Sequence, residues 1–208
     1  TRGLALRSFT GLRLPNVAEY LPKVIGDGLK DQSPYVRKTA VMGCVKLHLL
    51  CPDAITHSDL VDTLYTMLRD RDPQVVANCV CALDEILHAE GGMVINKQII
   101  HHLLNRIKDF NEWSQCLVLE RVARYKPDTQ QETFDIMNLL EERLKHANSA
   151  VVLSAIKVIM RYMDRLGCAD SEAQLVKKMA PPLVSLMSHS HGEFPEIQYV
   201  ALRNINLI

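Results

Sequence analysis

The sequence predicts an all-α solenoid, a fold in which pairs of helices stack side by side along the chain. Composition is the first reason, since 48% of the 208 residues are apolar but only 5% are aromatic. That balance suits helices packed through Leu, Val, Ile and Ala better than it suits a β-sandwich. The other two reasons are a polar phrase that recurs along the chain and the helical spacing of the apolar residues between its copies.

The recurrent phrase is the strongest signal in the sequence. Its copies lie at residues 29–36, 68–76, 107–109 and 144–152, and a last copy consists of Leu186 with residues 196–200. A spacing of about 37 to 42 residues matches the period of HEAT and armadillo repeats, each of which is a pair or triplet of helices. Each copy is therefore predicted to be a turn between two helices of the stack.

The first two copies also indicate how the next helix begins. Ser33 and Asp72 are of the residue types that cap a helix N-terminus with a side-chain oxygen, and we expect both to do so. Pro34 and Pro73 follow at the first helical position, where the N–H that proline lacks has no partner within the helix. New helices are therefore predicted to begin at these prolines.

After each proline the apolar residues fall three or four apart, which places them on one face of a helix. The stripe of the first helix contains Val36, Ala40, Cys44 and Leu47. The second helix has two stripes, which contain Val76, Val80, Leu83 and Leu87, and Val75, Cys79, Ala82 and Ile86. Such a broad apolar surface is expected of a helix held between two neighbours in a stack.

Partner helices complete the repeat. They are predicted at residues 17–29, 58–69, 96–108, 129–145 and 171–188, for a total of about eleven helices. No linker or change in composition marks a second domain, so we expect residues 1–208 to form one right-handed α-solenoid of HEAT/armadillo-type helix pairs. The chain starts without Met and stops inside a helical pattern, and we therefore expect it to be a fragment.

Charge and hydropathy restrict the function. Lys and Arg together number 24 and balance 24 Asp and Glu, so no overall field attracts nucleic acid or an anionic membrane. No apolar run approaches the roughly 18 residues of a spanning helix, and three arginines in the first 13 residues do not fit a signal peptide. We expect a cytoplasmic protein that meets membranes only through partners.

The six cysteines are predicted to be reduced core residues, because they lie mostly among apolar residues and lack the paired spacing of a zinc site. They are Cys44, Cys51, Cys79, Cys81, Cys116 and Cys168. The histidines are equally weak as ligands, since the adjacent His101 and His102 point about 100° apart on a helix. A loop with His189, His191 and Glu193 could hold a metal, but an exposed loop is the simpler interpretation.

No sequence motif indicates catalysis. Phosphate-binding loops, nucleophile elbows, zinc-protease motifs and dinucleotide fingerprints are all missing from the sequence. We therefore expect no enzymatic activity, no cofactor and no bound metal. The single tryptophan, Trp113, is interpreted as a packing anchor between repeats.

Partner binding is the chemistry that remains. The candidates are basic residues that bracket one repeat junction, Arg106, Lys108, Arg121, Arg124 and Lys126, and they could converge on one surface. The alternative is that they are ordinary charges on solvated helix faces.

Several phrases resemble one known family. Residues 30–40, 72–78, 146–155, 180–184 and 198–205 look like the trunk of beta-adaptin, the beta-type large chain of heterotetrameric adaptor complexes. The stretches 85–97 and 101–106 look most like the beta chain of the fourth adaptor complex. The resemblance covers essentially the whole chain.

The resemblance implies a non-enzymatic scaffold of a vesicle coat. In that family the beta chain assembles with a second large chain, a medium chain and a small chain on the cytosolic face of the trans-Golgi network. There an Arf-type GTPase recruits the complex, which sorts cargo for vesicle transport. The repeats alone fit equally well a soluble HEAT scaffold of another class, such as a transport receptor or a phosphatase regulator.

Overall fold

The computed structural model describes residues 1–12, 14–166, 169–189 and 194–207. Within these residues there are thirteen α-helices and three short 3-10 helices, and no β-strand. The predicted all-α class is confirmed. By its contacts the chain divides into two compact units, Thr1–Val94 and Ile95–Ile208.

The described residues of the first unit form seven α-helices. They are α1 (Arg2–Phe9), α2 (Pro15–Ala18), α3 (Leu21–Leu29), α4 (Pro34–Leu50), α5 (Pro52–Thr56), α6 (Leu60–Met67) and α7 (Pro73–Ile86), and a 3-10 helix follows at His88–Glu90. The two shortest helices, α2 and α5, were not predicted. Each begins at a proline, and the residue before it, Leu14 or Cys51, lies outside the helical region because proline disfavours that conformation at the preceding residue.

The core of the first unit forms around α4, which packs against α3 on one side and α7 on the other. The predicted stripe of α4 is buried throughout, and so are both predicted stripes of α7 except for Leu87. Leu87 is only half-buried because α7 ends at Ile86. Two-sided contact explains why these helices need broad apolar surfaces.

The polar turns differ from the prediction in one detail. Asp72 caps α7 as predicted, accepting hydrogen bonds from the N–H groups of Gln74 and Val75 at 2.9 and 3.1 Å. Ser33 occupies the corresponding position before α4, but its hydroxyl makes no capping bond. Instead, the Asp31 carboxylate accepts the Ser33 N–H at 2.8 Å, a local turn that orders the segment before the helix.

In the part of the second unit that the structure describes there are six α-helices. They are α8 (Lys97–Asn105), α9 (Glu112–Arg124), α10 (Gln130–Glu141), α11 (Ser149–Leu166), α12 (Ala169–His189) and α13 (Pro195–Ile205), with 3-10 helices at Ile107–Asp109 and Glu142–Lys145. The core forms around α11, which contacts α9, α10, α12 and α13. Tyr162 of α11 is fully buried, and its hydroxyl donates to the carbonyl of Val122 in α9 at 2.8 Å.

Candidate partner-binding surface

The five basic candidates lie at opposite ends of α9. Arg106 immediately precedes the 3-10 helix before α9 and Lys108 lies within it, whereas Arg121, Arg124 and Lys126 lie in the last turn of α9 or just beyond it. Because α9 has 13 residues, its ends are about 18 Å apart. The five side chains therefore do not converge on one surface.

Most of these cations have carboxylate partners within the second unit. Arg106 pairs with Asp109 at 3.4 Å, Lys108 pairs with Glu142, and Arg124 approaches Glu120 at 3.9 Å. Arg121 is 6% exposed and so does not offer its guanidinium at the surface. It must be removed from the partner-binding candidates. Arg124 and Lys126 are both exposed.

Trp113 is not a packing anchor, since 87% of its surface is exposed. It lies in the first turn of α9, on the face opposite the buried Val118 and Val122. The exposed and half-exposed side chains of this face are Trp113, Leu117, Glu120 and Arg124, spaced four, three and four apart. The exposure of Trp113 could have been predicted from the sequence, because two charged residues on the same stripe, Glu120 and Arg124, indicate that this side of α9 faces solvent.

A buried carboxylate in the second unit was missed entirely by the sequence analysis. Glu132 of α10 is 3% exposed. Its Oε1 accepts hydrogen bonds from the Tyr125 hydroxyl at 2.8 Å and lies 3.2 Å from Nε2 of His101. Its Oε2 accepts the Asp128 N–H at 3.2 Å and lies 3.5 Å from Nζ of Lys97. The cluster thus joins α8, α10 and the segment before α10.

This cluster changes the pKa values of Glu132 and Tyr125. Burial alone would raise the pKa of Glu132, but hydrogen bonds from Tyr125, Asp128 and His101 and the charge of Lys97 outweigh it, and the pKa lies below its ordinary value. The pKa of Tyr125 is raised, first by burial and then by its hydrogen bond to Glu132. His101 is therefore a structural partner of the buried Glu132 carboxylate.

No metal centre is found in the described ranges, where no group of three or more His, Cys, Asp or Glu side chains could hold an ion. The loop with His191 and Glu193 lies outside those ranges, as does the side chain of His189. Likewise, none of the described helices is long and apolar enough to cross a membrane.

The cysteines divide by burial. Cys44 and Cys79 are buried, Cys51 and Cys116 are half-buried, and Cys168 lies outside the described residues. Cys81 is exposed, so its prediction as a core residue was wrong. It lies on the polar face of α7 with Asn78 and Glu85, away from both buried stripes.

The whole sequence is similar to beta chains of adaptor complexes. It is 44% identical to beta-adaptin-like protein A of Arabidopsis thaliana and 42% identical to the AP-4 complex subunit beta-1 of Mus musculus, each over 100% of this chain. It is also 44% identical to the AP-1 complex subunit beta-1 of Mus musculus, again over the whole chain. The chain belongs to the beta-adaptin family.

This beta-adaptin chain spans about a quarter of the length of those relatives, between 22% and 27%. A family model described as non-SMC mitotic condensation complex subunit 1 also matches residues 1–161, so the chain belongs to the family of that model as well. Identities of 44% to an AP-1 chain and 42% to an AP-4 chain do not separate the two adaptor subtypes.

Solved structures support the fold of the beta-adaptin chain. A designed armadillo repeat protein matches it with a TM-score of 0.52 at 17% identity, covering 97% of this chain and 92% of that one. A second designed armadillo repeat protein, solved with the peptide (KR)4, matches with a TM-score of 0.55 at 18% identity, covering 96% and 91%. At such low identity these matches show the armadillo-type fold alone.

Proposed function

We propose that this beta-adaptin chain is part of a non-enzymatic scaffold subunit of a vesicle-coat adaptor complex. The observation that carries the proposal is 40% to 44% identity, over the whole chain, to beta chains of AP-1 and AP-4 complexes. The architecture supports it, because stacked helix pairs offer long helix faces on a rigid core to which other subunits can bind. The chain's role would be to hold such subunits in fixed positions relative to one another.

The proposal extends to partners and place. The partners would be a second large chain, a medium chain and a small chain, and an Arf-type GTPase would recruit the complex to the cytosolic face of the trans-Golgi network. There the complex would sort cargo for vesicle-mediated transport. The fourth adaptor complex is our preferred subtype, supported by the resemblance of residues 85–97 and 101–106 to its beta chain.

Affinity purification of the tagged full-length protein, followed by gel filtration and mass spectrometry, tests the proposal. We expect one large, one medium and one small adaptor chain to co-elute in equal amounts. The identity of the medium chain then decides between the first and fourth complexes. Recovery of a phosphatase or of nuclear-transport cargo in place of adaptor chains would favour a HEAT scaffold of another class.

The family model provides a second candidate function. Its match to residues 1–161 favours a role in a mitotic condensation complex, since that is what the description of the model names. A fluorescent fusion of the full-length protein separates the two candidates. Adaptor function predicts perinuclear and vesicular fluorescence throughout the cell cycle, whereas the condensation role predicts fluorescence on mitotic chromosomes.

A further inference from the structure

We propose that one exposed face of α9 docks an acidic protein segment that carries an apolar anchor side chain. The α9 face consists of Trp113, Leu117, Glu120 and Arg124, and it is extended at the C-terminal end of the helix by Lys126 and Arg161. The proposal goes beyond membership of an adaptor complex, because it names a surface and the chemistry of its partner.

The face is a continuous stripe along the helix. Steps of four, three and four residues keep its members on one side of α9, while the opposite side packs against α11. The buried side consists of Gln115, Val118, Leu119, Arg121, Val122 and Ala123. The α9 face is therefore the side of the helix that remains for a partner within this unit.

The N-terminal half of the α9 face is apolar. Trp113 is 87% exposed, the highest value among the large apolar residues that the structure describes. Beside it, Cys116 and Leu117 are half-buried and extend the apolar area down the helix. Tryptophan is enriched among residues that dominate binding energy, because its large rigid ring loses much water contact at little entropic cost.

The C-terminal half of the α9 face is basic. Arg124 and Lys126 are exposed. Arg161 of α11 is also exposed, and its Nη1 donates to the carbonyl of Ala123 at 3.2 Å, which brings a third cation to the end of α9. Glu120 lies 3.9 Å from Arg124 and offsets one of these charges. The remaining positive charge favours carboxylates on the partner.

The spacing of the two halves defines the partner further. Trp113 and Arg124 are eleven residues apart, which is about 16 Å along the helix axis. An extended segment covers that distance in about five residues. The partner should thus carry an apolar side chain about five residues from a cluster of Asp or Glu.

An anionic membrane would also attract tryptophan and basic residues, but the α9 face suits it poorly. Membrane-binding basic clusters usually contain about four to eight cations, whereas this one has three exposed cations, Arg124, Lys126 and Arg161. The charges therefore favour a protein segment.

The test uses the chain itself, whose only tryptophan is Trp113. The probes are ten-residue peptides with one Phe followed after three, four, five or six residues by three Glu. Matched peptides replace Glu with Gln or Phe with Ala. Binding is measured by polarisation of labelled peptide and by the emission of Trp113 with unlabelled peptide. We expect the acidic Phe peptide with a spacing near five to bind at least tenfold more tightly than either matched peptide, and to shift Trp113 emission to shorter wavelength.

Variants locate the binding to the α9 face. Trp113→Ala should weaken the acidic Phe peptide at least tenfold. The double variant Arg124→Gln, Lys126→Gln should weaken it severalfold at 0.05 M salt and remove most of its salt dependence. Two control variants lie in the first unit. Val94→Ala truncates another apolar residue, which is 65% exposed, and the double variant Lys23→Gln, Lys30→Gln removes two exposed cations. Both controls should bind the peptide as tightly as the parent chain does.

Three results would overturn the proposal. The first is equal affinity for the Glu and Gln peptides, and the second is unchanged affinity in both α9 variants while circular dichroism shows them folded. The third is a shift of Trp113 emission with phosphatidylserine vesicles, but with none of the peptides. Each result is independent of whether adaptor chains co-purify, so this proposal and the proposed function can fail separately.

Discussion

The guanidinium of Arg37 donates two parallel hydrogen bonds to the carboxylate of Asp70, 2.7 Å from Nε to Oδ2 and 2.9 Å from Nη2 to Oδ1. Its third nitrogen, Nη1, donates to the carbonyls of Asp31 and Gln32 at 3.0 and 2.9 Å. Asp31 and Asp70 occupy the same place in successive copies of the repeated turn. Arg37 therefore ties two repeats together at their turns.

Arg37→Ala should lower the free energy of unfolding by about 1.5–3 kcal/mol, because the mutation leaves a largely buried carboxylate without its charged donor. The Arg37 and Asp70 side chains are only 16% and 10% exposed. Urea unfolding of Arg37→Ala, Asp70→Asn and the double variant measures the coupling. Arg37→Lys should recover part of the loss, since lysine keeps the charge but not the two-pronged geometry. A coupling energy below about 0.5 kcal/mol would contradict the role given to the pair.

Two glycines of α3 provide a matched test of helix packing. A Cβ at Gly28 would lie 2.8 Å from Cδ2 of Leu6 and 3.0 Å from Cβ of Ala40, whereas a Cβ at Gly26 would meet nothing within 4 Å. The Leu6 methyl can rotate away, but the Ala40 Cβ moves only if α4 moves. Gly28→Ala should therefore cost about 1–3 kcal/mol.

Gly26→Ala should instead be neutral or stabilise the chain by up to about 1 kcal/mol, because alanine restricts the unfolded chain and favours helix. Thermal unfolding followed by circular dichroism compares the two variants. If both variants change the melting temperature in the same direction and to the same extent, the inference that α3 and α4 are too close at Gly28 to accept a Cβ is wrong.

Sequence patterns were sufficient to predict the core and the Asp72 cap, but not the polar contacts between helices. Val76, Val80 and Leu83 could be placed because a buried helix face repeats with the period of the helix. Glu132 could not, because its partners Lys97 and His101 are about 30 residues away and meet it only through the register of α8 against α10. Local patterns do not contain that register.

The expected convergence of the basic candidates was wrong for a related reason. Arg106 and Arg124 are close in sequence, which suggested that they lie on the two sides of one turn between repeats. Helix α9 lies between them instead and keeps their side chains apart. Trp113 and Cys81 were misplaced because residue type was given more weight than position on the helix. In both cases the neighbours on the same stripe, Glu120 for Trp113 and Glu85 for Cys81, indicated the solvent side.

The Glu132 cluster should make stability depend on pH in the acid range. A carboxyl whose folded pKa lies below its ordinary value of 4.5 stabilises the fold above that pH, and the contribution is lost as pH falls through the folded pKa. Glu132→Gln should lower the free energy of unfolding by about 1–3 kcal/mol at pH 7, and this difference should shrink below pH 4.5. Asp135→Asn, which removes an exposed carboxylate of the same helix, is the control. A difference that stays constant from pH 7 to pH 3 would contradict the assignment.

Tyr125 should produce the opposite trend in the alkaline range. A phenol whose folded pKa is raised above its ordinary value of 10.0 contributes stability below that pH, and loses it as pH rises toward the folded pKa. Tyr125→Phe removes the titrating group. Urea unfolding at pH 9, 10 and 11 should therefore show a smaller decline for the variant than for the parent chain. Equal declines would mean that other groups control alkaline stability.

Thiol labelling should distinguish the faces of α7. Cys79 and Cys81 are two residues apart on this helix, but Cys79 is buried and Cys81 is exposed. Burial raises the pKa of Cys79, and it raises the pKa of Cys44 to about 12, so both thiols lack the reactive thiolate at neutral pH. Brief treatment of the native chain with iodoacetamide, followed by peptide mass spectrometry, should modify Cys81 first and leave Cys44 and Cys79 intact.

In denaturant all three should react at similar rates, which controls for local sequence effects. Native labelling of Cys79 as fast as that of Cys81 would mean that α7 is not held between two neighbours, and the stacking of helix pairs in the first unit would have to be reconsidered.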